Sequence, residues 1–520
     1  MSNQTKSNFY ITSPIYYVND VPHIGHAYTS IACDVVARAR RLEGADVFFL
    51  TGTDEHGQKV EKSALARGKK PQEFCDEVSQ KFRELAQTLG LSHDDFIRTT
   101  EDRHKKCAQK FWEILEKNGF IYKDVYEGWY AVRDEAFYGE DELIDGKAPT
   151  GAEVSWHKEE SYFFKLSAFQ EKLLMLYEAA PDFIRPQSRY NEVVSFVKSG
   201  LRDLSISRTS FSWGVKVPGA EKHVMYVWLD ALTNYLSALG FPDENSALYQ
   251  KFWVNGFESP MHMVGKDIVR FHAIYWPAFL MAANINVPYE IYAHGWWTNC
   301  GQKISKSLGN VIDPHKELEW LESMGCSRNT AVDYFRYFLL REVPFGNDGD
   351  YSRSSFLNRV NSELANNIGN LAQRSLSMVW KNCDGKFPEN KNSSEVFKNA
   401  NFEEFLALMK SCAFDKAIGM AIEFASLANK KFNDAAPWNL KKENKISEMN
   451  EALADALESV RIIALMLAAF APQSSARFFD LLAVEEKDRN FSALKNSLKV
   501  GHKINEPKAV FPRLESTINK

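Results

Sequence analysis

From Phe9 to about Asp350, short apolar runs rich in β-formers alternate with longer stretches of helical periodicity, and beyond Asp350 the alternation stops. That alternation leaves few options. Strand-then-helix units of this length build a parallel sheet covered on both faces, and ligands then collect in the crevice outside the carboxyl ends of the strands. The first unit reads as a strand over 9–17, a turn at Asn19 and Pro22, and a helix over 27–42, with a second strand over 47–51. Between about Tyr122 and Lys222 the text changes to short aromatic strands with Gly and Pro turns, which predicts an inserted α+β module. The parallel sheet is expected to resume at 224–228, 262–264 and 289–293. Long helical stretches then dominate (about 353–380, 403–434 and 448–482), as in a helix bundle.

Composition narrows the class. A chain of 520 residues with 45% hydrophobic and 25% charged residues is built for several globular cores and excludes collagen, coiled coil and disorder. The longest apolar run, Ile462 to Ala471, is too short to span a bilayer, which takes about 20 residues. The polar opening segment lacks a signal-peptide pattern, so a cytoplasmic location is expected. Seven cysteines stand at least 26 positions apart, matching neither a disulfide framework nor a zinc knuckle. The net charge is −5 overall; residues 351–520 carry 24 basic and 20 acidic side chains, so the last third is the basic part and hints at an anionic partner.

Two segments carry charge chemistry. Pro22-His23-Ile24-Gly25-His26 lies between the first strand and the first helix, where a helix N-terminus and two imidazoles can face one anion such as a triphosphate. Gly25 is expected to let a nucleotide approach the backbone. Two histidines three apart could instead share a metal or cap the helix, but no third ligand has convincing spacing. The second segment, Lys303-Ile304-Ser305-Lys306-Ser307, sits between Gly301 and Gly309 and offers two ammonium groups on a loop. Alone it reads as a solvated basic loop. Paired with the histidine segment it reads as a phosphate clamp, each charge-assisted contact contributing roughly 1.5–3 kcal/mol.

This pair resembles the HIGH and KMSKS signatures of class I aminoacyl-tRNA synthetases, with Ile304 replacing the methionine of the second motif. Thr12-Ser13-Pro14-Ile15-Tyr16-Tyr17-Val18-Asn19, Thr51-Gly52-Thr53-Asp54-Glu55-His56-Gly57 and His294-Gly295-Trp296-Trp297 resemble the methionyl-tRNA synthetase family in particular, over nearly the whole chain. The resemblance implies an α/β protein with a Rossmann-like catalytic domain in two halves (1–121 and 223–296), split by an α+β connective insertion (122–222). A loop and stem-contact segment (297–350) and an α-helical bundle that binds the anticodon (351–520) follow.

It also implies an ATP-dependent ligase that makes methionyl-adenylate with Mg2+ and transfers methionine to initiator and elongator tRNA(Met). His23, His26, Lys303 and Lys306 are the expected catalytic set. Those four, with Gly25, Asp267, His294 and Gly295, are expected to bind ATP; taken alone, Asp267 after its strand is equally a ribose acceptor or a helix cap. Ile15, Tyr17, Asp54, Trp228, Ala231, Leu232, Tyr235, Ile268, Phe271, His272 and Trp276 are the expected methionine-binding set. Asp54 could hold the α-ammonium or be a surface carboxylate. The aromatic residues could be plain core, although aromatic edges suit a thioether, and Tyr235 and His272 are expected to turn their polar ends to the sulfur. Asn370 and Arg374, at i and i+4 on one helix, and Trp438 beside Pro437 are the expected anticodon readers. No structural zinc is expected, because Tyr130-Ala131-Val132-Arg133-Asp134-Glu135 has no cysteine where a knuckle would begin. The end of the chain soon after the bundle suggests a monomer.

Overall fold

The computed structural model describes residues 7–19, 21–133, 136–256, 258–299, 301–304, 309–389 and 393–515. Its centre is a parallel sheet of seven strands: β1 (Asn8–Thr12), β2 (Tyr16–Tyr17), β3 (Asp46–Asp54), β4 (Asp95–Arg98), β5 (Ile184–Arg185), β6 (Met261–Gly265) and β7 (Glu290–His294). The order is β4-β3-β1-β6-β7-β5, with β2 continuing the β1 side against Thr53 and Asp54. Pro14 interrupts the single run expected over 9–17, since it cannot donate to the ladder, and β1 and β2 result. The chain leaves β1 toward β3 on one side and β6 on the other, so the crevice of this doubly wound sheet opens between Thr12 and His262, which pair in register.

Alternation assigns the strand side chains to two cores. Phe9, Ile11, Phe49, Met261 and Met263 join one buried cluster, while Tyr10, Leu50 and Val264 join the other. The first cluster also takes in helix α1 (Ile24–Leu42), the helix Arg328–Arg341 and the C-terminal helices Phe414–Ala435 and Ile446–Leu467. The helical part is therefore packed onto the parallel sheet through one continuous core. The second holds the helices Asp102–Lys117 and Trp276–Ala282.

Two expectations need correction. The segment 224–228 does not rejoin the parallel sheet: Ala220–Met225 runs antiparallel to Ser207–Arg208 and Lys216–Val217, and Val227 already begins a helix. A five-residue apolar run cannot by its period name its partner strand. The long helices are also broken: Cys412 takes a left-handed φ of 56° between Phe402–Lys410 and Phe414–Ala435, and Pro472 starts a new helix after Ile446–Leu467. The stretch 122–222 builds a four-stranded antiparallel sheet around Ile121–Ala131 and Ser155–Phe164, and its β5 pairs with β7 of the parallel sheet. Among the described residues no helix is long and apolar enough to cross a membrane.

Candidate active site

At the start of α1 the two histidines cap the helix. The Gly25 N–H donates to His23 Nδ1 at 3.1 Å, and the His23 N–H donates to His26 Nδ1 at 3.0 Å. A ring nitrogen that accepts from an amide carries no proton, so in each neutral imidazole the proton sits on Nε2. The ring centroids lie 3.9 Å apart, and Tyr16 and Phe82 hold His26 edge-on. Burial, with a smaller push from His23, keeps the His26 imidazole well below the usual histidine range. His26 thus offers a neutral Nε2–H donor, not a cation. Gly25 has a reason other than ligand approach: a Cβ there would lie 2.9 Å from His23 Cε1.

The lysine loop begins and ends at this place. Gln302–Lys303 pairs antiparallel with Trp297–Asn299, just past β7. The Lys303 backbone is described, whereas Ser305, Lys306 and Ser307 lie outside the described residues. Beyond them, Asn299 Nδ2 donates to the Asn310 carbonyl at 3.1 Å, and the Ile24 N–H donates to the Ile312 carbonyl at 3.0 Å. The segment that follows the lysines is therefore fastened to the first residue of α1, next to His23.

Across the crevice, β6 ends at Gly265 and delivers Lys266 and Asp267. Asp267 Oδ1 accepts the Trp296 indole N–H at 3.0 Å. His294 is buried and its nitrogens are both engaged by protein: Nδ1 meets the Gly295 carbonyl at 2.8 Å and Nε2 meets Thr29 Oγ1 at 2.8 Å. These bonds tie β7 to α1, and burial lowers the pKa of His294. At Gly295 the space for a Cβ holds the backbone of Asn347, 2.2 Å away at the carbonyl oxygen. Glycine here permits the close approach of that backbone.

The expected amino-acid pocket assembles from two groups. Ile15, Tyr17 and Asp54 meet where β2 pairs with the end of β3, Tyr17 in register with the buried Asp54. Trp228, Ala231, Leu232 and Tyr235 lie on the helices after the small antiparallel sheet, facing Ile268, Phe271, His272 and Trp276. The Trp228 and Phe271 rings stack at 3.7 Å, and Tyr235 packs against His272 and Trp276. His272 Nδ1 meets the Ile268 carbonyl at 3.0 Å and so bears the proton; Nε2 then accepts from the Tyr235 hydroxyl at 2.7 Å. Burial brings His272 down to about 4, partly offset by the bond to Ile268. Their polar ends thus hydrogen-bond each other.

Sequence reasoning missed what joins the two groups. His56, two residues beyond Asp54, meets Asp230 Oδ2 through Nδ1 at 2.7 Å, and His104 Nε2 meets Asp230 Oδ1 at 2.7 Å. All three are buried. Burial pushes the Asp230 carboxyl up, but His56 and His104 outweigh it and bring it to about 2. His262 was missed too. Its Nδ1 pairs with Thr12 Oγ1 at 2.7 Å across the crevice floor, and its ring stacks on Tyr235. The histidine in Thr53-Asp54-Glu55-His56-Gly57 was a legible signal; Asp230 and His262 had none. Among the described residues no group of three or more His, Cys, Asp or Glu could hold a metal.

The profile of a family described as "tRNA synthetases class I (M)" matches residues 9–154 and 150–376, and that of the "Anticodon binding domain of methionyl tRNA ligase" matches 388–519. The chain belongs to the class I methionyl-tRNA synthetases. A methionine--tRNA ligase of Rickettsia felis is 54% identical over 99% of this chain and 100% of its own length, and one of Brucella suis is 49% identical over 98% of each. The Mycobacterium tuberculosis methionyl-tRNA synthetase solved with methionyl-adenylate superposes with a TM-score of 0.92 at 45% identity, covering 98% of this chain and all of that one. The apo form of that enzyme gives 0.86 at 43% identity, covering 99% and 100%.

In this synthetase the three expected anticodon positions fall at one end of the bundle. Asn370 is exposed at the start of Asn370–Asn382. Arg374, one turn on, holds its guanidinium 5.2 Å from the Phe432 ring and 5.1 Å from the Trp438 ring, and donates to Asn433 Oδ1 at 2.8 Å. Ala436, with a left-handed φ of 42°, ends the helix before it, and Pro437 starts the next turn, leaving Trp438 37% exposed. The indole is a surface group, not core.

Proposed function

We infer that the chain is a methionine--tRNA ligase, in which methionine and ATP react at the crevice between β1 and β6 and the product passes to tRNA. The observation that carries the site assignment is the bond from the Ile24 N–H to the Ile312 carbonyl, which ties the segment after the lysines to the histidine-bearing helix. The methionine carboxylate attacks the α-phosphorus, the bond to the bridging oxygen breaks, and pyrophosphate leaves with its charge. His23 and His26 donate Nε2–H to phosphate oxygens, and Lys303 and Lys306 neutralise the leaving pyrophosphate. Positioning and electrostatics carry this step, since no covalent enzyme nucleophile is required. Mg2+ arrives on the triphosphate as part of the substrate. Asp267 accepts from the ribose. Asp54 holds the α-ammonium, and the walls are Ile15, Tyr17, Trp228, Ala231, Leu232, Tyr235, Ile268, Phe271, His272 and Trp276. In the second step a terminal ribose hydroxyl of tRNA(Met), initiator or elongator, attacks the adenylate carbonyl and AMP leaves.

Residues 1–121 and 223–296 form the catalytic halves in this reading, 122–222 the insertion, 297–350 the loop and stem-contact segment, and 351–520 the anticodon domain, where Asn370, Arg374 and Trp438 read CAU bases by hydrogen bonding and stacking. The enzyme works as a monomer in the cytoplasm. Pyrophosphate exchange is expected with methionine and not with leucine, isoleucine or valine. Aminoacylation is expected of tRNA(Met) transcripts and lost when the anticodon is changed. Equal charging of the altered transcript would remove the anticodon assignment, and exchange with another amino acid would remove the methionine one.

A further inference from the structure

The group around Trp296 ties together three segments that the sequence keeps apart: the end of β6, the end of β7 and the turn before Gly349–Tyr351. The Trp296 indole N–H donates to Asp267 Oδ1 at 3.0 Å, and its backbone N–H donates to Asp348 Oδ1 at 2.8 Å. Lys266 places its ammonium 4.3 Å from the Trp296 ring centroid and bonds both Asp348 oxygens, at 2.7 and 2.6 Å. The indole is thus fixed by a cation on its face, by its own backbone, and by the carboxylate at its edge. Gly265 leaves this carboxylate its room, because a Cβ there would lie 2.7 Å from Asp267 Oδ1. A carboxylate on the protein surface rotates freely about its last bond; this one is exposed, yet one oxygen is held.

We propose that Trp296 is a positioning residue for the nucleotide: its indole N–H holds Asp267 Oδ1, aided by Lys266 and Asp348, so that Oδ2 is presented to a ribose hydroxyl in a fixed orientation. The proposal rests on the reading of Asp267 as the ribose acceptor. A carboxylate held in place loses less freedom when it binds, and the benefit is confined to the hydroxyl it receives. Trp296 itself does not touch the reacting atoms. Its effect must therefore disappear when that hydroxyl is absent.

The test is pyrophosphate exchange by the full-length enzyme, as wild type, Trp296→Phe and Asp267→Asn, with ATP, 2′-deoxy-ATP and 3′-deoxy-ATP. Phe keeps an aromatic ring under Lys266 and removes the N–H together with the pyrrole ring that carries it. Trp296→Phe is expected to raise the KM for ATP about five- to tenfold, leave the KM for methionine unchanged, and have no effect with the deoxy analogue whose missing hydroxyl Asp267 receives. Asp267→Asn is expected to show the same dependence on the analogue with a larger penalty. If Trp296→Phe is penalised equally with all three nucleotides, or with none, while Asp267→Asn discriminates among them, Trp296 does not act through Asp267 and the proposal falls alone. If Asp267→Asn treats all three alike, the ribose assignment falls and takes the proposal with it.

Discussion

At the scale of single residues, the decisive feature is that hydrogen bonds fix protonation as well as position. His26 accepts a backbone N–H at Nδ1, so its Nε2–H is a donor without any need for a charge. Burial, and to a lesser degree His23, depresses its pKa well below the usual histidine range, so the neutral form is the one present at neutral pH. His26→Ala should lower the rate of pyrophosphate exchange about 10²- to 10³-fold, the usual loss for one preorganised donor, at constant methionine KM. The ratio of wild-type to variant rate should stay level from pH 6 to 8; a ratio that shrinks as pH rises would mean the imidazolium is the working form. Asp230 is the structural counterpart. Removing its carboxylate leaves two buried imidazole N–H groups facing a void, and Asp230→Ala should cost roughly 3–5 kcal/mol in urea unfolding.

At the scale of elements, helix caps and close strand contacts set the geometry of the site. Gly25 lies in the first turn of α1 with ordinary helical backbone, where alanine would normally be favoured by propensity. Its substitution is costly for another reason: the new Cβ would displace the His23 ring. Gly25→Ala should therefore lower the exchange rate about 10- to 100-fold, as a misplaced catalytic group does, while the melting temperature stays within a few degrees of wild type. A variant that loses stability but keeps its rate per folded molecule would assign Gly25 to folding and not to placement of His23. The strand–turn–helix unit around it was legible because period, turn residues and motif all lie within 35 positions. The strand Ala220–Met225 was misassigned because nothing local tells a parallel partner from an antiparallel one.

At the scale of the whole molecule, one buried arginine joins the parts. Arg336, on Arg328–Arg341, bonds Asp34 of α1 at 2.7 Å and the carbonyls of Leu89, Ala469 and Phe470, with no exposure of either charged side chain. Arg336 thus bonds α1 and the C-terminal bundle at once, inside the core they share. Burial would raise the Asp34 carboxyl, but Arg336 and Arg38 prevail and bring it to about 2 from an ordinary 3.8. Because the folded value is depressed, the ionised carboxylate contributes stability at any pH above the ordinary value, and that contribution is lost as pH falls from about 4 through 2. Arg336→Ala should destabilise by about 3–5 kcal/mol near neutral pH by stranding a buried charge, and should flatten the fall in stability over that acid window. Chemical unfolding as a function of pH reads both; an unchanged slope in the variant would remove Arg336 from the role.

The sequence alone determined the local chemistry: which residues could donate to phosphate, which helix face could meet a base, and the family, since each of those rests on neighbours along the chain. It also placed the crevice, because strand-to-helix alternation has few solutions. Only the tertiary structure decided which of those groups are spent on one another. Tyr235 and His272 are 37 positions apart, His56 and Asp230 are 174, and Asp34 and Arg336 are 302. Pairings at such separations follow from how layers pack and how strands order, and periodicity, which reports only a residue's side of its own element, carries no record of the partner it will meet.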